Sequence, residues 1–395
     1  MTQQQINKKK IINDPVLGFI KIQSEIIFDL IEHPIFQRLR RIKQLGLSYM
    51  VFPGANHTRF EHALGASHLM RQAISELRLK GHKITAILLH DIGHAPFSHV
   101  LENTLVEISH EEISLMLMNQ LNDHFKGRLD LAIQIFTNQY PKKFLYQLVS
   151  GQLDMDRLDY LNRDSFYSGV SEGVVGYDRI INMLDVHNDN IVVEEKGIYS
   201  IEKFIVARRL MYWQVYLHKT SLVADLMLKN AVLRAKDLSR TAKLNKDVSG
   251  NLNLFLTQKL SETNFADYID NFAALDDYDI IQALKGWMQS DDKILSTLST
   301  SIINRKLFSI EFLALEKADE KYNSLKQHYS EEEMKYLVLK GAAQNNAYNP
   351  AKDNIYIKFK DGSIKEITDI TEQWNIRSLS NPVVKHYIAY PKNKF

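Results

Sequence analysis

The chain has 395 residues, a length that suits two or three domains, and is 45% hydrophobic and 24% charged. That composition buries a large core, which excludes the disordered, collagen-like and disulfide-scaffold classes. Forty-nine Lys plus Arg against forty-seven Asp plus Glu leave +2, so no global field points to nucleic acid, and with no cysteine any metal ligands come from His, Asp or Glu.

Met1–Lys10 is basic but has no apolar stretch behind it, so it is not a signal peptide, and no run approaches the ~18 apolar residues of a membrane span. The expected location is the cytoplasm. Thr58 followed by Glu61 is a capping-box pattern that opens a helix. Phe60, Ala63, Leu64, Ser67, Met70, Ala73, Ile74 and Leu77 carry it at helical spacing, with Gly81 as its stop. Ile84–Ile92, almost wholly apolar before Gly93, predicts a buried central helix. Further helical patterns run through His110–Leu121, Leu129–Phe136, Phe144–Leu148, Asp156–Asp164 and Ile201–Lys236. Asn190–Ile201 reads as a hairpin around Lys196-Gly197, Ile355–Ile367 as a hairpin around Asp361-Gly362, and Val383–Tyr390 as a strand. The polar stretch Arg240–Gly250 is the predicted boundary. The pattern therefore implies a mainly α chain, with a large helical domain at 1–240 and a smaller α+β C-terminal lobe at 241–395.

His90-Asp91 closes the apolar helix, which sets an imidazole and a carboxylate about 100° apart beside its end. A charged Asp there is costly unless paired or coordinated. His62, on the first turn of the preceding helix, and Asp156, opening a later one, add a second imidazole and a second carboxylate. Two of each, with positions left open, suit a divalent ion such as Mn, Mg, Fe, Zn or Ni and leave room for a water that the ion acidifies. Taken singly, His62 is explained as a capping or core histidine and Asp156 as an acid favoured by the helix dipole; the company gives them meaning. His94, four residues after His90, is placed to protonate a leaving oxygen or hold a phosphate near neutral pH. Asp156, Tyr160 and Asp164, with Arg157 beside them, line one helix face over about 12 Å, a length that fits a phosphate at one end and a sugar at the other. Arg208, Tyr212 and Tyr216 repeat that spacing on the long helix.

The strings His57-Thr58-Arg59-Phe60-Glu61-His62, His90-Asp91-Ile92-Gly93-His94-Ala95-Pro96-Phe97-Ser98-His99 and Asp154-Met155-Asp156-Arg157-Leu158-Asp159-Tyr160 resemble the three signatures of the HD-domain metal-dependent phosphohydrolases. Within that family the chain is similar to the deoxynucleoside triphosphate triphosphohydrolases, the dGTPase-like group that includes the vertebrate member with a sterile alpha motif domain. Phe52-Pro53-Gly54-Ala55 fits the same group, and the resemblance covers residues 8 to 240.

The resemblance implies an HD-domain helical bundle in which His62, His90, Asp91 and Asp156 hold the metal. It implies a catalytic cluster of His94, His99, His110 and Glu102, the last standing where the family more usually has Asp. Arg59, Arg157 and Arg208 would neutralise phosphates, Arg157 standing in place of a Lys. Tyr160 would stack on the sugar, Asp164 accept its 3′-hydroxyl, and Tyr216 lie beside the base. Gln44 and Leu45 would pack against the sugar and leave no room for a 2′-hydroxyl. Lys10, Ile11 and Asn13, then Glu32, Gln37 and Arg40, resemble segments that bind an activating nucleotide between subunits, which implies a nucleotide effector and a homo-oligomer, dimer or tetramer. The implied reaction releases deoxynucleoside and intact tripolyphosphate after attack of an activated water at the α-phosphorus. Other readings stay open: an HD-type phosphodiesterase or nucleotidase acting on another nucleotide, or a non-catalytic protein that binds nucleotide or nucleic acid.

Overall fold

A computed structural model of the chain describes residues 10–392 apart from 80–83, 242–243, 245–247, 262, 352 and 371–373. The capping box forms as the sequence dictates: the Thr58 backbone N–H donates to Glu61 Oε2 at 2.8 Å, and a helix runs Arg59–Glu76. Phe60, Ala63, Leu64, Leu69, Met70, Ala73 and Ile74 are buried along it. The expected stop, Gly81, lies outside the described residues. The next helix, Thr85–Leu89, is buried at all five positions. A third, Met155–Ser168, is capped by the Asp154 carboxylate, which accepts from Arg157 N–H at 2.7 Å, and ends at Gly169 with φ +74°. Both pack against Arg59–Glu76, so three strings far apart in sequence meet around one helix. Gly65 makes the crossing possible, because a Cβ there would stand 2.0 Å from Asp159 Oδ1 and 2.2 Å from Arg163 Nη2.

Strands are short and few. β1 (Lys10–Asp14) and β2 (Gly18–Ile22) form an N-terminal hairpin. β3 (Leu184–His187) and β4 (Asn190–Glu194) form a second hairpin. β5 (Ser309–Leu313), β6 (Leu339–Asn345), β7 (Tyr356–Lys358), β8 (Ile364–Glu366) and β9 (Val383–Tyr390) lie in the C-terminal part. They build a four-stranded sheet in the order β3-β4-β7-β8 and a three-stranded one in the order β5-β9-β6. The hairpin around Asp361-Gly362 and the strand at Val383–Tyr390 form as expected, with Gly362 at φ +86°.

Two expectations are corrected. The turn before Ile201 is not at Lys196-Gly197: Asn188 and Asp189 take it, both at positive φ (46° and 61°), and β4 pairs backwards with β3. Consecutive left-handed residues are what a two-residue hairpin turn needs, and Asn and Asp tolerate that conformation. Lys196-Gly197 instead leads into a helix at Ile198. The single helix expected at Ile201–Lys236 is broken into Ile198–Met211 and Lys219–Arg240, joined by a π turn at Tyr212–Tyr216.

Buried side chains from Ile20 to Ala389 form one connected cluster, which crosses the polar stretch after Arg240. Val192 of β4 pairs in parallel with Tyr356 of β7. The Asp277 carboxylate accepts from Lys43 N–H at 2.8 Å and from Phe97 N–H at 2.6 Å, which fixes two loops that flank the site. Among the described residues no helix is long and apolar enough to cross a membrane.

Candidate metal centre

The end of Thr85–Leu89 delivers His90 and Asp91, and a polar clamp fixes the turn that follows. The Ser114 hydroxyl accepts from Gly93 N–H at 2.9 Å and donates to the His90 carbonyl at 2.8 Å. Arg38, fully buried, donates to the carbonyls of Ile92 (3.3 Å), His94 (2.9 Å) and Leu275 (2.5 Å). Nothing in the periodicity pointed to Arg38 as part of this site, because its partners are carbonyls. Phe97 and Ser98 follow at φ +58° and +59°, left-handed conformations that cost about 1–3 kcal/mol each and gather at functional sites.

His62 Nε2 lies 3.0 Å from Asp156 Oδ1, His90 Nε2 lies 3.6 Å from the same oxygen, and His90 Nε2 lies 3.3 Å from Asp91 Oδ1. His62 Nε2 is 3.6 Å from Asp91 Oδ2. Ligands about 2.1 Å from one ion stand about 3.0 Å apart at right angles and about 3.4 Å apart at the tetrahedral angle, so these separations fit a shared cation. Both Nε2 atoms are buried and make no hydrogen bond. The opposite nitrogens are engaged: His62 Nδ1 meets Asp159 Oδ2 at 2.8 Å, and His90 Nδ1 meets the Ile87 carbonyl at 2.6 Å. Such outer contacts set the tautomer and aim each Nε2 lone pair inwards. Ligand atoms of His62, His90 and Asp156 all lie within 4.8 Å of one another. Asp91 stands beside them and pairs its Oδ2 with Arg59. Burial pushes the Asp91 carboxyl up, but the Arg59 guanidinium and the His90 and His94 imidazoles outweigh it and hold the group well below the usual carboxylate range. These residues fit a divalent ion, the cofactor that HD domains bind.

Burial by itself lowers the His62 imidazolium, yet the Asp156 and Asp159 carboxylates on its two nitrogens reverse this and raise it to about 10. Without an ion, His62 therefore carries a proton at neutral pH, and a metal must displace it. Metal uptake at pH 7 should release about one proton and tighten about tenfold per unit of rising pH. Calorimetry in buffers of different ionisation heat reads this; uptake with no proton released would contradict it.

His94, His99 and His110 gather next to the ion cluster, with ligand atoms again within 4.8 Å. They do not form a second chelate, because the His94 and His110 rings lie stacked, 4.0 Å apart at 17°, so their in-plane lone pairs run side by side instead of meeting. Glu102 bridges His99 Nδ1 (2.8 Å) and His110 Nδ1 (2.6 Å), which presents both Nε2 atoms outwards. Burial raises the Glu102 carboxyl, but these two hydrogen bonds pull it far below its ordinary range, so the glutamate fills the orienting position in ionised form. His94 is buried with Nε2 3.3 Å from Asp91 Oδ1, and burial together with the Arg59 charge holds it neutral, well below the usual histidine value.

The remaining site residues fall into one connected group. Arg157 pairs with Asp154, and its Nε is buried without a partner. Arg208 donates to Gln152 Oε1 at 3.1 Å and likewise has a buried, unpartnered Nε. Tyr160 and Tyr216 meet edge-on at 6.1 Å, and Tyr216 O–H donates to Asp164 Oδ2 at 2.8 Å. Asp164 Oδ1 meets His57 Nε2 at 2.7 Å, and the His57 ring stacks on Tyr167 at 4.4 Å. His57, Gln152 and Asp159 were not singled out by sequence reasoning; His57 and Asp159 sat inside quoted strings without a role. Gln44 N–H donates to the His57 carbonyl at 3.1 Å and its Oε1 is buried without a partner, while Leu45 is half-buried beside it. Arg59 is drawn away from solvent: Nε donates to Ser98 Oγ at 2.8 Å and Nη1 pairs with Asp91.

The six residues expected to hold an effector lie elsewhere, on the N-terminal hairpin and the short helical turns that follow it. Lys10 pairs with Glu32, Ile11 and Asn13 are exposed on β1, and Gln37 accepts from Arg40 Nε at 2.8 Å while donating to the Ile31 carbonyl at 2.7 Å.

The HD domain family profile matches residues 59–162, which contain all four expected ligands, and the HD-associated region profile matches 175–249. The solved structure of a phosphohydrolase from Bacteroides thetaiotaomicron is 51% identical, covers 98% of this chain and 100% of its own, and superposes with a TM-score of 0.90. The uncharacterized protein YwfO of Bacillus subtilis is 30% identical over 415 residues, 98% of this chain and 93% of its own. Human deoxynucleoside triphosphate triphosphohydrolase SAMHD1 is 28% identical over 291 residues, 60% of this chain and 46% of its own, so this chain spans about half of that relative. With the ligand cluster, the helical frame and these likenesses together, the chain belongs to the HD-domain phosphohydrolase family.

Proposed function

We propose that the protein hydrolyses deoxynucleoside triphosphates to deoxynucleoside and tripolyphosphate. The observation that carries the reading is the single face of Met155–Ser168, which runs from Asp156 at the ion cluster through Arg157 and Tyr160 to Asp164 at the far end. Side chains in that order suit a polyphosphate at the histidine end and a sugar at the tyrosine end. The likeness to the human triphosphohydrolase supports the same substrate class.

A divalent cation held by His62, His90, Asp91 and Asp156 supplies Lewis acidity and acidifies a water. The chain's own residues do the rest. Arg157 and Arg208 present cationic faces with unused N–H groups to the phosphates, and fixed charge of this kind carries most of phosphoryl transfer. His94, held neutral, donates a hydrogen bond without repelling the cation. His110, oriented by Glu102, hands a proton to the departing 5′-oxygen, with His99 beside it at 5.2 Å between rings. Asp164, fixed by His57 and Tyr216, keeps a lone pair for the 3′-hydroxyl. Gln44 and Leu45 wall the sugar. A nucleotide on Lys10, Ile11, Asn13, Glu32, Gln37 and Arg40 activates an oligomer of this chain.

Purified protein with Mn2+ or Mg2+ is to be incubated with each deoxynucleoside triphosphate, alone and in pairs, with phosphate products resolved by ion chromatography. Tripolyphosphate is the expected product, and pairs should outperform single nucleotides if an effector is needed. Release of only orthophosphate or pyrophosphate would discard the proposal.

A further inference from the structure

We infer that Asp14, Arg163 and Asp159 are positioning residues of the metal centre, which link the seating of the N-terminal hairpin to occupancy of the ion site. The inference rests on the metal-centre reading above. Asp14 ends β1, in the hairpin, whereas Arg163 and Asp159 lie on the helix that carries Asp156. Arg163 forks onto Asp159, with Nε 2.9 Å from Oδ2 and Nη2 2.9 Å from Oδ1. Its third nitrogen, Nη1, reaches Asp14 Oδ2 at 2.7 Å. Asp159 Oδ2 in turn meets Nδ1 of His62 at 2.8 Å. The side chains of Arg163, Asp159 and His62 are 0% exposed and that of Asp14 is 3% exposed, so water cannot replace any partner in the relay.

Charge arithmetic makes the chain of contacts directional. Asp159 serves two cationic or donor groups, Arg163 and His62, and Arg163 serves two carboxylates, Asp159 and Asp14. Take away Asp14 and the guanidinium has one buried carboxylate left, to which it is drawn entirely. Asp159 then holds His62 Nδ1–H less well, and the ring loses both its aim and part of its basicity towards an ion. The other end of the relay is a backbone turn. Asp14 Oδ1 accepts from Val16 N–H at 2.9 Å and from Leu17 N–H at 2.8 Å, so one carboxylate closes the β1–β2 turn and feeds the metal centre. Opening that turn rotates the carboxylate and unloads Arg163. By reciprocity, an ion that fixes His62 also fixes the turn.

The test uses the full chain stripped of metal with a chelator and titrated with Mn2+, free ion being read by its paramagnetic resonance signal. Asp14→Asn keeps shape and removes charge, and is expected to bind Mn2+ about 10–100-fold more weakly. In the wild type, Mn2+ should slow amide hydrogen exchange across residues 10–22 although no residue there touches the ion cluster. A folded Asp14→Asn variant with wild-type Mn2+ affinity overturns the link, as does hairpin exchange that ignores the ion. Should the variant fail to fold, the wild-type exchange measurement decides by itself. A wild-type chain that takes up no Mn2+ brings down the metal centre and the link together, whereas uptake equal in both proteins brings down the link alone.

Discussion

Asp91→Asn is expected to lower phosphohydrolysis by at least about 10³-fold, equivalent to about 4 kcal/mol of transition-state stabilisation. The carboxylate lies at the meeting point of His62, His90 and His94 and also neutralises the buried Arg59. Asparagine keeps one acceptor oxygen, which can serve Arg59, but it turns an N–H donor towards the His90 side and carries no charge to balance a cation. Alanine is the poorer test. It leaves Arg59, 4% exposed, with no carboxylate partner, and breaking a buried pair this way costs about 3–5 kcal/mol of stability. Loss of activity in Asp91→Ala therefore confounds chemistry with folding, whereas Asp91→Asn separates them. The measurements are kcat/KM on the hydrolysed nucleotide, metal content after desalting, and the denaturant midpoint. An Asp91→Asn enzyme with near-normal kcat/KM and full metal content removes Asp91 from the centre.

Gly65→Ala is expected to be the most destabilising single methyl group that can be added to the molecule's central helix. Its Cβ would enter the space held by Asp159 Oδ1 and Arg163 Nη2, at 2.0 and 2.2 Å. Neither atom can withdraw into solvent, since both side chains are fully buried and Arg163 is also tied to Asp14. The helix propensity gained by replacing glycine, about 0.5–1 kcal/mol, is outweighed by disruption of a buried ion pair worth about 3–5 kcal/mol when broken. Urea unfolding followed by circular dichroism reads the difference. A midpoint equal to or above that of the wild type shows that the two helices can separate without loss, which contradicts the close crossing described here.

Much of the site was legible because its chemistry is written in local strings. The capping box at Thr58 and Glu61, the apolar run ending in His90-Asp91 and the spacing of Asp156, Arg157, Tyr160 and Asp164 each depend on neighbours within a few turns. The structure brings His62, His90 and Asp156 within coordinating reach of one another, with Asp91 beside the two histidines. What escaped was what pairs at long range. Arg163 gives no signal, since nothing near it in sequence announces Asp14, and Arg38 gives none because it binds carbonyls, which every residue has. Arg59 was read as a phosphate contact from its position in the string, whereas its charge faces Asp91. The turn expected at Lys196-Gly197 falls instead at Asn188-Asp189, because two consecutive residues able to take positive φ make the better hairpin turn.

The π turn at Tyr212–Tyr216 carries a consequence for how this protein can change. A wider turn of this kind accommodates one more residue than an α turn, as a single-residue insertion would. Losing one residue there would close the wide turn to an α turn with the helix before it still in phase, while the break at Leu217 and His218 (ψ 128°) keeps Lys219–Arg240 a separate helix. Arg208 lies one turn before that stretch and Tyr216 closes it. The offset between Arg208 and Tyr216 is thus set by one short aromatic stretch, whose wide turn can absorb a one-codon change of length.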